Sequence, residues 1–377
     1  MKIALWSDWF LPRLGGLELQ LRDLATELAA RGHEIHVITT TPADPARQGR
    51  LQTAQVTLPD AVTVHRLDVP LVPGLHASVS RRLAPAARDV LARVMPDVVH
   101  GHASIGSTAV LAGGWAAHSL GVPNVVTFHS VLGAFRHILK AVDLAVGWSR
   151  WPGEVAAVSE VVAREVRWML PGRAVHVLGN GVDPAWWRVG TPADPRQPEL
   201  RVITVMRLQP RKRGRALLGV LASARQRTPG PVHLTVVGDG PARGALEATA
   251  RRLGLADAVT FTGTRSREEI RCLFGGAHVF LQTSVQESFG LAALEARSAG
   301  LAVVARADSG VGDLFHHGRE GLFARADAGV ADELARLGGD RSLLARIMAH
   351  NRTVLPDVCW ERTVSRHLRL YERARSG

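Results

Sequence analysis

Short apolar runs alternate with segments of helical periodicity along most of this chain of 377 residues. A strand is predicted at residues 2–6, followed by a loop that ends at the pair Gly15 and Gly16. Apolar residues then recur at helical spacing from Leu17 to Leu28, and Gly32 ends the predicted helix. The alternation continues with a helix near residues 107–117 and strands at 35–39, 62–65, 98–100, 125–128, 155–158 and 175–178. This order is typical of a parallel sheet covered by helices on both faces.

A polar stretch with three prolines interrupts the alternation at residues 188–199, as an interdomain linker would. A second series follows, with strands predicted at residues 200–205, 233–237, 259–261, 278–282 and 302–305. We therefore expect an α/β protein of two doubly wound, Rossmann-like domains, residues 1–187 and 200–359, with a helix at 360–377 packing back on the first. Ligands of such sheets bind beyond the carboxyl ends of the strands, so the site is expected in a central cleft that the two domains face.

Composition narrows the class of protein. The apolar fraction of 46% and the charged fraction of 21% are ordinary for globular domains and exclude wholesale disorder. No uncharged apolar run is long enough for a membrane-spanning helix, and the apolar start is too short for a signal peptide. Two cysteines exclude a disulfide framework and a Cys-rich zinc site, so a cytoplasmic location is expected.

The net charge of +12 favours an anionic partner such as nucleotide phosphates, acidic lipid or nucleic acid. Lysine occurs at only three positions, so much of the arginine content follows a compositional bias. The arginines are scattered over predicted helices without interleaved aromatic residues or a recognisable binding module. A nucleic-acid partner is therefore not expected.

The most informative stretch lies around residues 278–305. Glu287 follows a predicted strand, and Glu295 lies about two turns into the next helix. The first turn of that helix offers backbone N–H groups to a phosphate. These groups belong to Ser288, Phe289, Gly290 and Leu291. The two carboxylates would then bind hydroxyl groups of a sugar and a ribose. A second interpretation fits the spacing equally well: Glu287 caps the helix, and Glu295 pairs with an arginine on a solvated face.

A basic loop follows the strand at residues 200–205 and carries Arg207 and Lys212. Two cations at the carboxyl end of a strand are well placed to neutralise a diphosphate. The alternative is a solvated basic loop. Because lysine is so rare in this chain, Lys212 among arginines favours the first interpretation.

Three further features are weaker alone. Gly15 and Gly16 would let the backbone approach an anion at a helix N-terminus, or form a plain turn. Gly238 begins a glycine-rich turn whose GxGxxxG spacing departs from the dinucleotide fingerprint, so it predicts a turn near a nucleotide or a structural turn. His129 follows a predicted strand and would face the cleft. His100 and His102 lack neighbouring carboxylate or cysteine ligands, so no metal site is expected there.

Together these residues resemble the retaining glycosyltransferases of family 4, which have the GT-B architecture, and the resemblance spans essentially the whole chain. The motifs that carry it, in family order, are Gly15-Gly16 with Glu18, Asn180-Gly181-Val182-Asp183, Arg207 with Lys212, Gly238-Asp239-Gly240-Pro241, and Glu287 with Glu295. One segment departs from the family pattern: residues 308–312 read Asp-Ser-Gly-Val-Gly where many members have Gly-Gly. Acceptor and donor sugar are therefore less transferable than the reaction.

The resemblance implies a metal-independent enzyme that needs no cofactor and uses a nucleotide-diphosphate sugar, with a UDP-sugar favoured and GDP-mannose second. Arg207 and Lys212 would bind the diphosphate, and Gly16 would approach it from the first domain. Glu295 would hold the ribose, and Glu287 the donor sugar. His129 would contact that sugar and assist its transfer as hexose or N-acetylhexosamine to a hydroxyl acceptor.

Other functions remain as alternatives. They are a sugar-nucleotide epimerase of the same architecture, a non-catalytic nucleotide-sugar-binding module and a nucleic-acid-binding protein. Residues 131–151 mix apolar and basic side chains. They predict either a surface that meets an anionic membrane, placing the enzyme at the inner face of that membrane, or a core helix with a basic exposed side.

Overall fold

The computed structural model describes residues 1–13, 15–44, 58–70, 72 and 78–377. The chain forms two compact units, the first from Met1–Gly181 with Trp360–Gly377 and the second from Val182–Cys359. The division therefore lies between Gly181 and Val182 rather than at residue 187. The reason is that Trp187 is fully buried against Phe274 of the second unit, with ring centroids 5.6 Å apart.

Within the described residues, the first unit contains a seven-stranded parallel sheet in the order β3-β2-β1-β4-β5-β6-β7. Its strands are β1 (Lys2–Ser7), β2 (Glu34–Thr39), β3 (Val62–Arg66), β4 (Val98–Ala103), β5 (Asn124–Phe128), β6 (Glu154–Ala157) and β7 (Val175–Val177). All six residues of β4 are buried, as expected for a central strand covered on both faces.

The helices of the first unit connect these strands and cover the sheet. They are α1 (Gly16–Ala29), α2 (Leu83–Val94), α3 (Thr108–Leu120), α4 (Phe135–Val146), α5 (Glu160–Met169) and α13 (Trp360–Ser376). The last helix adds Trp360, Val364, Leu370 and Tyr371 to the core formed by β1 and α1. Residues far apart in the chain thus complete one hydrophobic core.

The second unit contains a six-stranded parallel sheet, counted over the described residues, in the order β10-β9-β8-β11-β12-β13. Its strands are β8 (Leu200–Val205), β9 (Val232–Val237), β10 (Val259–Gly263), β11 (Val279–Gln282), β12 (Ala302–Arg306) and β13 (Gly321–Ala324). Its helices are α6 (Pro184–Trp187), α7 (Gly214–Arg225), α8 (Arg243–Arg252), α9 (Arg267–Gly275), α10 (Leu291–Ser298), α11 (Asp327–Gly339) and α12 (Arg341–Thr353). Both sheets confirm the predicted α/β class.

The edge strand β13 was not anticipated. It is only four residues long and carries no apolar alternation that separates it from a turn. Gly321 begins it because a Cβ there would collide with the carbonyl oxygen of Val303 in the neighbouring strand. Among the helices of the described residues, none is long and apolar enough to cross a membrane.

Candidate active site

Lys212 and Glu287 meet at the carboxyl edge of the second sheet. Lys212 ends a short 3-10 turn after β8, and Glu287 lies in the loop after β11. The Lys212 ammonium donates to Glu287 Oε2 at 2.6 Å, and the Gln282 amide donates to the same oxygen at 2.9 Å. The side chains are only 18% and 15% exposed, so water screens the ion pair weakly.

Burial would raise the pKa of Glu287, but the Lys212 ammonium and the backbone N–H of Gly290 outweigh it and hold the pKa below its ordinary value. Glu287 is therefore ionised at neutral pH. Because Gly290 immediately precedes α10, the carboxylate also caps that helix. The capping interpretation is thus correct as geometry, and the same carboxylate holds the lysine.

The segment at residues 308–312, where the sequence departs from the family pattern, supports this loop. The Gly310 N–H donates to the carbonyl of Glu287 at 2.7 Å. Val311 is fully buried and touches the position where Gly290 lacks a Cβ. Gly290 has a φ of +91°, which a glycine adopts without strain. Phe289 is 3% exposed, so its ring belongs to the core and only its backbone can meet a ligand.

The glycine-rich turn at residues 238–241 braces the loop of Arg207. The N–H of Met206 donates to the carbonyl of Val237 at 3.0 Å, and the N–H of Leu208 donates to that of Asp239 at 2.9 Å. A Cβ on Gly238 would collide with the carbonyl oxygen of Met206. The glycine is therefore needed for close packing of these two loops, which is the structural interpretation of the motif.

Glu295 projects from α10 and is 13% exposed. Its carboxylate lies 3.7 Å from the guanidinium of Arg267, as in the second interpretation of the Glu287/Glu295 spacing, although the pair is mostly buried. That guanidinium also lies over the rings of Trp186 and Trp187, 5.1 and 5.3 Å from their centroids. The sequence analysis missed Arg267. Its position opposite a carboxylate depends on the fold and left no local signal.

In the first unit, Gly15 caps α1 and Gly16 begins it. The space where Gly16 lacks a Cβ is open within 4 Å, whereas Gly15 is covered by the Glu18 side chain. Glu18 is 4% exposed and pairs with Arg13 at 3.0 Å. Of the two glycines, Gly16 thus has the open approach that a ligand needs.

His129 directly follows β5, and its Nε2 lies 3.0 Å from Nδ1 of His102. Both rings line a cavity of about 10 Å³, enough for one water molecule. Burial lowers the pKa of His129 to about 3, so its ring is neutral at pH 7. Within the described residues, no cluster of three or more His, Cys, Asp or Glu side chains is arranged to hold a metal.

The comparisons with known proteins agree with this architecture. The chain superimposes on Anabaena HepE in complex with UDP-glucose with a TM-score of 0.73, covering 100% of both chains at 23% identity. It also superimposes on the lipopolysaccharide glycosyltransferase WaaG with a TM-score of 0.64, covering 99% of this chain and 98% of the other at 18% identity. The fold is that of GT-B glycosyltransferases.

Sequence comparison identifies the family. Residues 193–352 match the model of glycosyl transferases group 1, and residues 14–186 match that of Glycosyltransferase Family 4. The D-inositol 3-phosphate glycosyltransferase of Frankia alni is 30% identical over 410 residues, which cover 96% of this chain and 95% of that protein. The chain therefore belongs to the group 1 glycosyl transferases of family 4.

One of the human relatives belongs to phosphatidylinositol N-acetylglucosaminyltransferase and is 29% identical over 318 residues. The alignment covers 82% of this chain and spans 62% of the length of the human protein. The family resemblance drawn from the sequence motifs is thus confirmed. The roles of the individual site residues stay predictions.

Proposed function

We propose that this protein is a retaining glycosyltransferase that moves a hexosyl or N-acetylhexosaminyl group from a nucleotide-diphosphate sugar to a hydroxyl acceptor without a metal ion. The observation that carries the proposal is the buried pair of Lys212 and Glu287 at the carboxyl edge of the second sheet. A UDP-sugar is the favoured donor, with GDP-mannose second. The relatives named as N-acetylglucosaminyl and inositol-phosphate transferases, and the HepE complex with UDP-glucose, support this choice.

The chemistry follows from where charge develops. When the bond between the anomeric carbon and the diphosphate oxygen breaks, its electron pair moves onto the diphosphate. Arg207 and Lys212 would stabilise that negative charge, and such fixed electrostatics contribute about 3–4 kcal/mol per donor in well-studied sites. The ionised Glu287 would accept a sugar hydroxyl and favour the positive charge on the ring.

Retention requires the acceptor to attack on the face from which the diphosphate leaves. The acceptor oxygen forms the new bond to the anomeric carbon, and its proton moves to the departing diphosphate oxygen. His129 would contact the donor sugar. Neither step needs a protein nucleophile or an external oxidant, so the atoms and electrons balance between donor and acceptor.

Thermal unfolding in the presence of UDP, GDP, ADP or NAD, each with EDTA, tests the donor. A ligand at a hundredfold excess over its dissociation constant stabilises the fold by about 2.7 kcal/mol, which is readily measured as a shift in Tm. We expect a shift with UDP, or with GDP if the donor is GDP-mannose. A shift with NAD alone, or with no nucleotide, would overturn the proposal. Consumption of the donor without an acceptor would favour the epimerase instead.

We also propose that α4 contacts an anionic membrane surface at the cytoplasmic face. None of the residues of α4 is buried, so the alternative of a core helix is wrong. Ile138 and Leu144 are 55% and 86% exposed on this helix, and Trp168 of α5 is 42% exposed beside it. Exposed apolar side chains flanked by basic ones are typical of interfacial helices.

The basic side chains flank the apolar ones of α4. The Arg136 guanidinium and the Lys140 ammonium lie over the Trp168 ring, 4.9 and 4.6 Å from its centroid. The helix is held by Glu165, whose carboxylate accepts the N–H of Leu132 at 2.6 Å. This arrangement supports a lipid-linked acceptor presented at the membrane surface, with the cations facing anionic headgroups.

A further inference from the structure

Four histidines pack together in the first unit, at the ends of β4 and β5 and on α13. Ring centroids are 4.0 Å apart for His100 and His102, 5.1 Å for His102 and His129, and 5.5 Å for His100 and His367. His100, His102 and His367 are 0%, 2% and 5% exposed, whereas His129 is only partly buried. His129 is thus the member of the cluster that a ligand can reach.

The outer members of the cluster are fixed by hydrogen bonds. His100 Nδ1 lies 2.8 Å from the Tyr371 hydroxyl, and its Nε2 lies 2.8 Å from the Thr127 hydroxyl. His367 Nδ1 donates to the carbonyl of Thr363 at 2.8 Å. The titratable groups in contact with the central pair are therefore His100, His367 and Tyr371, on β4 and α13.

Burial keeps this cluster uncharged. It lowers the pKa of His100 and His102 well below the usual value, that of His367 to about 4 and that of His129 to about 3, with nearby histidines adding repulsion for all but His367. A neutral imidazole has one N–H and one lone pair. In the contact between His102 Nδ1 and His129 Nε2, one ring must therefore donate and the other accept.

The second nitrogen of His102 decides between the two arrangements. His102 Nε2 is buried and hydrogen-bonds to no other atom in the part of the chain that the structure describes. If His129 donated, His102 would carry its proton on Nε2 and bury an unpaired N–H. If His102 donates, Nε2 is a lone pair, and buried acceptors tolerate missing partners better than buried N–H groups do. The second arrangement is the less costly one.

We infer that His102 is a positioning residue that donates from Nδ1 to His129 and so holds the proton of His129 on its Nδ1. His129 Nδ1 hydrogen-bonds to no residue of the described ranges, and it then offers an N–H to a hydroxyl oxygen of the bound sugar. This inference deepens the proposed function and rests on it for the identity of the ligand. The tautomer itself is a property of the free protein.

The tautomer can be measured without any substrate. Long-range ¹H–¹⁵N NMR of protein labelled in its histidine rings distinguishes protonation at Nδ1 from protonation at Nε2, and loss of signals in His129→Asn assigns His129. We expect wild-type His129 to carry its proton on Nδ1. In His102→Leu, which lacks a donor, we expect it to move to Nε2, the form that free histidine prefers in water. In His102→Asn, whose amide places an N–H near the former Nδ1, the wild-type form should persist.

Kinetics supply the functional readout. His102→Leu should lower kcat by about tenfold, the equivalent of one lost hydrogen bond of about 1.4 kcal/mol, with little change in the KM for the donor. His102→Asn should recover most of the rate, and His118→Asn, at an exposed histidine of α3, serves as the control.

A wild-type His129 protonated at Nε2, or a tautomer unchanged in His102→Leu, would overturn the inference whatever the activity. A protein without transferase activity whose His129 shows the expected tautomers would instead overturn the proposed function and leave the assignment of His102 standing.

Discussion

The ammonium of Lys212 and the carboxylate of Glu287 lie 2.6 Å apart although 75 residues separate them in the chain. The contact brings a cation and an anion to the same edge of one sheet, where a diphosphate and a sugar would need opposite charges. Each partner also holds the other in place, so removal of either disturbs both roles.

Substitution of either partner should abolish most of the transferase activity. We expect Lys212→Ala and Glu287→Ala each to lower turnover by at least about 100-fold, because charge stabilisation in the transition state is lost. Circular dichroism should show an intact fold. Arg227→Ala is the matched control, because Arg227 forms an exposed ion pair with Asp332 in the same unit. Unchanged transfer rates in both site variants would refute the assignment.

Glu295→Gln should weaken nucleotide binding while sparing the fold. A charged hydrogen bond to a ribose hydroxyl contributes about 1.5 kcal/mol, so the Kd for UDP should rise by about tenfold. Isothermal titration calorimetry measures this directly. The control is Glu247→Gln, whose carboxylate makes an exposed pair with Arg243. An equal Kd for wild type and Glu295→Gln would remove Glu295 from the nucleotide site.

His278 should make the protein less stable in mild acid. The ring is fully buried, accepts the N–H of Arg201 at 3.0 Å and contacts the carbonyl of Asp194 at 2.9 Å. Burial lowers the pKa of His278 to about 4, whereas an unfolded histidine titrates near 6.5. The unfolded state therefore binds the proton first, and stability is lost as the pH falls from about 6.5 towards 4.

The slope attributable to His278 is at most about 1.4 kcal/mol per pH unit. Urea unfolding of wild type and His278→Gln between pH 7.5 and 5 isolates it. The difference also cancels the contribution of Asp8, whose pKa burial raises to about 6 and whose slope has the opposite sign. Parallel stability curves for the two proteins would contradict this prediction.

Gly290→Ala should destabilise the second unit and disturb the loop of Glu287. The new methyl group would collide with the buried Val311 side chain at a φ of +91°, and such left-handed strain costs about 1–3 kcal/mol. Gly219→Ala provides the contrast. Gly219 is exposed within α7 and has open space around it, so we expect a gain of about 0.5–1 kcal/mol. Midpoints of urea unfolding that move in the same direction would contradict the assignment.

Leu144→Glu should weaken binding to vesicles that contain phosphatidylglycerol. The side chain is 86% exposed on α4, and an added carboxylate would repel the anionic surface that the neighbouring cations attract. Cosedimentation measures the bound fraction. Leu355→Glu, at a 58% exposed position of the second unit, is the matched control. Equal binding of the two variants, or no binding by the wild type, would remove the membrane from the proposal.

Local patterns predicted the two sheets well, because parallel strands buried on both faces are continuous apolar runs. The apolar runs before Ser7 and Thr283 are examples, each ending where polar residues begin. The positions of Lys212 and Glu287 followed, since both come after strands of one sheet. Their direct contact was not anticipated.

Contacts between distant parts of the chain left no such pattern. The bond between His100 and Tyr371 joins residues 271 apart, and neither histidine spacing nor helical periodicity specifies it. The sequence analysis considered His100 and His102 only as a metal pair. Likewise, the apolar residues of α4 predicted burial and membrane contact equally well, because periodicity identifies a face without naming what covers it.

The helix α13 has a consequence for how the protein is made. Gly181 touches Trp360, and Val182 forms a β-bridge with Cys359, so the second unit is an insertion between two adjacent points of the first. Trp360, Val364 and Tyr371 complete the core of the first unit. On the ribosome, the unit whose synthesis begins first therefore waits for the whole of Val182–Cys359 before its core can close. The inserted unit can fold earlier, and shortening α13 would harm the opposite half of the molecule from the one that precedes it in the chain.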